Sequence, residues 1–109
     1  MVTHAVEDEA FVVRVSGSLD HDSAPLLEEA CALAEDSGVP RTVVDLSLTD
    51  FADSTVLHAL LAAQRAHHRQ QRKLVVAGPF HEVVRRLFDV TGTAGYFTPA
   101  DDMPGALGS

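Results

Sequence analysis

Two short β-branched runs with one amphipathic helical stretch between them constrain this chain more than anything else in it. Residues 42–46 (Thr-Val-Val-Asp-Leu) and 73–77 (Lys-Leu-Val-Val-Ala) each read as a buried strand. Between them Val56, Leu57, Leu60 and Leu61 recur at helical spacing, and the basic residues near Arg69 suit the negative end of a helix dipole. A helix that joins two strands in this way is a crossover, and a crossover sets its strands parallel.

The flanking segments extend the pattern. Residues 2–7 and 11–16 read as two more strands, with Glu7-Asp8-Glu9 as a hairpin turn and Gly17-Ser18 closing the second strand. A loop, Leu19-Asp-His-Asp22, leads to Ser23 as an N-cap, with Ala24-Pro25 in the first helical turn. That helix is expected to run to about Asp36 and to stop before Gly38. Leu27, Ala30, Cys31 and Ala34 share its apolar face, while Glu28, Glu29 and Glu35 point elsewhere.

After the strand at 73–77, Gly78-Pro79 breaks the chain. Residues 80–90 then form a short helix with Val83, Val84, Leu87 and Phe88 on one face, ended by Thr91-Gly92. Tyr96-Phe97 adds a short edge strand, and residues 100–107 contribute at most one helical turn. The expected order is β-β-α-β-α-β-α in one α/β domain over residues 1–107. Gly108-Ser109 is set apart as a remnant of cloning.

Composition narrows the function classes. An apolar content of 46% with 22% charged residues is that of a soluble globular protein, and 109 residues build a core without staples. Eight basic against 16 acidic residues give a net charge of −8. Such a surface repels a phosphate backbone, so nucleic acid is not an expected partner and a protein with a basic face is. The single cysteine, Cys31, cannot form an internal disulfide and reads as a small core residue. No basic-then-apolar leader opens the chain, and no apolar run approaches the ~20 residues that span a bilayer. A cytoplasmic protein without membrane insertion is expected.

The chemistry concentrates at Asp53-Ser54, at the start of the crossover helix. One of the two is the N-cap, its oxygen accepting a free N–H of the first turn. A hydroxyl there is reached from solvent, and the helix dipole favours negative charge beside it. Ser54 is therefore a candidate phosphoacceptor, with Thr55 the nearest competitor. Helical spacing places Ser54, His58, Ala62 and Arg65 on one face with Thr55, Ala59 and Ala66 beside them, while Leu57, Leu60 and Leu61 point inward. The same residues also fit an ordinary capped, solvated helix face with no function. Asp20 and Asp22 form an acidic loop that suits a basic partner, or else carboxylates bonding their own turn, the reading preferred for Asp22.

Four blocks in order resemble those of the STAS domains, specifically the stand-alone anti-sigma factor antagonists. They are Gly17-Ser-Leu-Asp20, the helix start Ser23-Ala24, Val44-Asp-Leu-Ser47 with Phe51-Ala-Asp-Ser-Thr55, and Arg86-Leu-Phe-Asp-Val-Thr-Gly92. The resemblance implies a mixed β-sheet of about four to five strands with helices packed on one side. It also implies that Ser54 is phosphorylated by an anti-sigma factor that is a serine kinase, with a phosphatase reversing the step. In that scheme the unphosphorylated form binds the anti-sigma factor and frees a sigma factor. The implied partner-binding set is Asp20, Asp53, Ser54, Thr55, His58, Ala62 and Arg65. Three residues depart from the family pattern: Val56 replaces a glycine, Ser18 an acidic residue and Thr93 a leucine. Val56 is expected to put a branched side chain where a partner's backbone would otherwise approach.

Other classes fit less well. Gly-x-Ser-x-Gly is absent, no Gly-rich loop follows a strand, and the acidic pair that a receiver domain with Asp45 or Asp50 requires is missing at Gly17-Ser18. No enzyme, cofactor or metal is expected, since His67 and His68 point about 100° apart on a helix and His58 lies too far from His68. The alternative is a STAS binding module that does not switch: a scaffold, a small-ligand sensor or a lipid-transport subunit.

Overall fold

The computed structural model describes residues 1–7, 9–91 and 98–100. In chain order these form β1 (Val2–Glu7), β2 (Ala10–Leu19), α1 (Ala24–Asp36), β3 (Arg41–Ala52), α2 (Ser54–Arg69), β4 (Lys73–Ala77), α3 (Glu82–Thr91) and β5 (Thr98–Ala100). The five strands lie in sequence order across one sheet. β1 and β2 pair antiparallel as the hairpin, and every later neighbour is parallel. Both features follow from connection length: a tight turn reverses the chain, whereas a helix returns it to the same end. No helix among the described residues is long and apolar enough to cross a membrane.

One core lies between the sheet and the helices. Phe11, Val13, Val15, Val44, Leu46, Leu74 and Val76 alternate along the strands onto this face. They meet Leu27, Ala30, Cys31 and Ala34 of α1, Val56, Leu57, Leu60 and Ala63 of α2, and Val84 and Phe88 of α3. The opposite face carries a smaller buried cluster of Ala10, Val12, Val43, Val75 and Ala77. Beside it Arg14 reaches Glu7 at 2.7 Å and lies 3.9 Å from Asp45.

Several boundaries and orientations differ from those expected of the sequence. β2 continues past Ser16 to Leu19 and β3 past Leu46 to Ala52, because each supplies the other's partner there. Their register slips twice, with Arg14 opposite Asp45 but Ser16 opposite Leu48, and Gly17 opposite Thr49 but Ser18 opposite Phe51. Gly17 sits between the slips at φ +80°, a conformation open to glycine and hostile to most side chains. Val15 falls in the first gap, and the buried Thr49 hydroxyl donates to its carbonyl at 3.0 Å. Local propensity has no access to such long-range pairing.

Ser23 does not cap α1 with its side chain. Asp20 does the work instead: its Oδ1 accepts from the Asp22 N–H, the Ser23 N–H and the Ser23 hydroxyl at 3.1, 3.3 and 3.4 Å. The turn-bonding role expected of Asp22 thus belongs to Asp20. At the other end of α1, Gly38 adopts φ +78° and stops the helix as anticipated. α3 starts at Glu82 rather than at residue 80, because His81 Nδ1 accepts the Val83 N–H at 3.2 Å and serves as the cap. Phe80 packs edge-on against Phe88 with ring centres 5.8 Å apart. Val83, expected on the apolar face, is exposed. The strand expected at Tyr96-Phe97, and most of the turn expected in 100–107, lie outside the described residues, and β5 ends at Ala100.

Candidate functional site

The crossover helix begins at the end to which the parallel strands point. Leu19 and Ala52 are register partners at the ends of β2 and β3. Asp20 and Asp53, the next residues of each chain segment, therefore emerge from neighbouring strand ends, a strand spacing of about 4.8 Å apart in the sheet direction. From this point α1 and α2 begin. Ligand and partner sites of open α/β sheets gather at this end, because the loops that leave it are free of the sheet.

Asp53, not Ser54, caps α2. Its backbone is extended, and its Oδ1 accepts the N–H groups of Thr55 at 3.0 Å and Val56 at 3.3 Å. Ser54 is the first helical residue, and it is exposed. Capping is satisfied without its hydroxyl, so that oxygen carries no structural duty. Thr55, His58, Ala62 and Arg65 are exposed as well, and with Ser54 they form one open strip along α2. Ala59, placed beside this strip from spacing, is buried with Ala63 in the core. Leu61, expected to point inward, is half-buried at the margin.

Val56 corrects a second expectation. Its side chain is 1% exposed and belongs to the core with Leu57 and Leu60. The third residue of α2 here points down onto the sheet. A valine there fills the core and leaves the approach to Ser54 open. Ser18, the second departure, donates its hydroxyl to Asp50 Oδ1 at 3.5 Å. An acidic side chain at 18 would instead face Asp50 with like charge. Thr93 lies outside the described residues.

Charge at this end is mostly negative, with the Met1 ammonium, which donates to the Ser16 carbonyl at 2.7 Å, as a cation beside β2. No lysine or arginine occurs between residues 15 and 40 or between 42 and 64, the segments that build it. Asp20 and Asp53 are half-buried, and Asp22 and Asp50 are exposed. Asp22 pairs with its neighbour His21 at 3.3 Å, both in solvent. Asp45 is not part of this surface: buried beneath the first register slip, it accepts the Ser47 N–H at 3.0 Å. Two exposed apolar side chains, Leu48 and Phe51, stand on the final stretch of β3, beyond the strand expected at residues 42–46.

The histidines are dispersed. His67 is 0% exposed; its Nδ1 donates to the Ala63 carbonyl at 2.7 Å and its Nε2 accepts from the Thr42 hydroxyl at 2.7 Å. The carbonyl can only accept, which fixes this tautomer. His68 is exposed, and no group of three metal-binding side chains occurs among the described residues. Burial pushes the Cys31 thiol from its ordinary 9.0 up to about 12, with Glu35 and Glu28 adding to the effect. A thiol held neutral in this way is not a nucleophile at neutral pH.

A mixed sheet with one face under helices ends here in an open strip framed by carboxylates, with one arginine, Arg65, at its far end. The sequence model described as "Mlab, STAS domain" matches residues 2–99. The chain is 32% identical over 91 residues to the anti-sigma-B factor antagonist of Staphylococcus epidermidis, covering 84% of this chain and 81% of that protein. Among solved structures it is similar to an anti-sigma factor antagonist from Mycobacterium paratuberculosis, with a TM-score of 0.86, 27% identity and coverage of 99% and 91% of the two chains. It also shares the fold of the phosphorylated Bacillus cell fate determinant SpoIIAA, with a TM-score of 0.70 at 18% identity over 93% and 92% of the chains. The chain belongs to the STAS-domain anti-sigma factor antagonist family, a family of binding proteins.

Proposed function

We propose that the unphosphorylated chain binds an anti-sigma factor in the cytoplasm and so frees a sigma factor, and that phosphorylation of Ser54 breaks the complex. The contact surface is the strip Ser54, Thr55, His58, Ala62 and Arg65 with Asp20 and Asp53 at its end. The kinase is the anti-sigma factor itself, a phosphatase resets the switch, and the chain catalyses nothing. One observation carries this reading: Asp53 supplies the α2 cap, so the exposed Ser54 hydroxyl is available for esterification without loss of a helix contact.

The physical consequences divide cleanly between fold and interface. Phosphoserine brings about −1.5 to −2 charges, which a helix N-terminus tolerates. Asp22 and Asp50 face water in the free protein, where repulsion is screened. Docking replaces that water, and like charges ~5 Å apart at an effective dielectric of ~20 repel by roughly 3 kcal/mol per unit pair. The strip offers the dianion no lysine or arginine of its own chain over residues 42–64. A loss of about 4 kcal/mol weakens binding roughly a thousandfold, sufficient for a switch.

Incubation with the host's anti-sigma factor and ATP, followed by mass spectrometry, should place one phosphate on Ser54 and none on Ser54→Ala. Ser54→Asp should keep its cooperative unfolding yet lose at least a hundredfold in affinity by calorimetry. Wild-type affinity in Ser54→Asp, or full regulatory function in Ser54→Ala without phosphate on the wild type, would leave a STAS module that does not switch.

A further inference from the structure

The geometry points to a second contact in the same complex: an extended segment of the anti-sigma factor, apolar and flanked by lysine or arginine, docks in a notch beside the end of β3. This rests on the reading above that an anti-sigma factor is the partner. β4 pairs with β3 only from Arg41 to Asp45, whereas β3 continues to Ala52. Along residues 46–52 the edge that faced β4 therefore has no strand beside it among the described residues. Gly78-Pro79 turns the chain away, and Pro79, Phe80 and His81 close the far side of an open notch against Leu48 and Asp50. A strand edge left open presents backbone donors and acceptors that an extended peptide can pair with.

The side chains name the chemistry of the occupant. Leu48 is 70% exposed and Phe51 44% exposed. The two register slips set them opposite Ser16 and Ser18 of β2, so both stand on the sheet face away from the helices. Large apolar groups raised on a strand end, with carboxylates on the side of Asp50 and the β2 end, match a partner's apolar side chain flanked by cations. Asp50 adjoins both, and Asp20 and Asp22 leave the neighbouring strand end. A second copy of this chain is a poor occupant, since at net −8 it would bring the same carboxylates against themselves.

Leu48 and Phe51 stand on the sheet face away from the helices, whereas Ser54 opens a helix on the other face. Phosphate on Ser54 therefore acts on one contact and leaves the other standing. The two contributions to affinity should be separable, with the notch giving the phosphorylated form a residual attraction for its partner.

Calorimetry with the host's purified anti-sigma factor tests this. Leu48→Ser and Phe51→Ser should each lower affinity tenfold or more with unchanged thermal midpoints, and by the same factor in the Ser54→Asp background. Asp50→Asn should weaken binding and flatten its salt dependence. In the complex, amides of residues 46–52 should exchange more slowly than in the free chain. If Leu48→Ser and Phe51→Ser bind as wild type while Ser54→Asp does not, the notch is overturned and the Ser54 switch stands. Loss of self-association rather than of partner affinity in Leu48→Ser would make a second copy the occupant and overturn the proposal. Failure of the wild-type chain to bind any anti-sigma factor ends both readings.

Discussion

Replacing Asp53 by alanine removes the two hydrogen bonds that begin α2, those from the N–H groups of Thr55 and Val56 to Oδ1. Loss of an N-cap carboxylate costs about 1 kcal/mol and up to ~2 in a protein host. Asp53 is half-buried, which places the expected loss in the middle of that range. The damage stays local, because Val56 and Leu57 remain anchored in the core and hold the first turn against the sheet. For a domain of this size 1 kcal/mol corresponds to roughly 4–8 °C in Tm. Guanidinium denaturation should show a lower midpoint with an unchanged slope, since the surface exposed on unfolding is the same. Amide exchange should accelerate at Thr55 and Val56 and remain slow at Leu60. Asp53→Asn, which keeps an accepting oxygen, should recover most of the stability. A Tm within 1 °C of wild type, with unchanged exchange at Thr55 and Val56, would show that the capping bonds do not hold this helix end. Asp53 would then not be what spares Ser54 a structural duty.

The two buried polar features outside the site give further tests. His67→Leu strands the buried Thr42 hydroxyl and should destabilise by about 1–3 kcal/mol, whereas the His67→Leu/Thr42→Val pair, which leaves no orphaned group, should be appreciably less destabilised than the sum of the single changes; simple additivity in chemical denaturation would refute the coupling. Cys31 holds its proton more tightly when folded, up to about 12, than unfolded, so its contribution is fully present below about pH 9 and is lost as pH rises towards 12. Cys31→Ala should therefore show a shallower alkaline fall in stability than wild type when denaturation midpoints are compared at pH 8, 9 and 10; parallel profiles would contradict the assignment.

Much of the frame was legible because it rests on period and punctuation. The buried face of α1 (Leu27, Ala30, Cys31 and Ala34) follows from spacing alone, and so does its stop at Gly38. The parallel pairing of β3 with β4 follows from the helix between them. The exposed strip from Ser54 to Arg65 was readable on the same ground, since a 3.6-residue period fixes which side chains share a face once the inward leucines are known. Alanine is the exception that proves mute: it suits either side, and only contact with α1 and the sheet decided that Ala59 turns in while Ala62 turns out.

Pattern and chemistry in the chain itself determined an acidic α/β domain, its crossover helix, and a serine at the mouth of that helix, because these depend on neighbours within a few residues. Tertiary structure alone decided that Asp20 rather than Ser23 caps α1 and that Val56 serves the core instead of confronting a partner. It alone revealed that His67 is locked to Thr42 across 25 positions. The extension of β3 to Ala52, which raises Leu48 and Phe51 beside the site, is of the same kind. Its cause is a twice-slipped pairing with β2, and pairing between strands so distant in the chain leaves no periodic trace in either one.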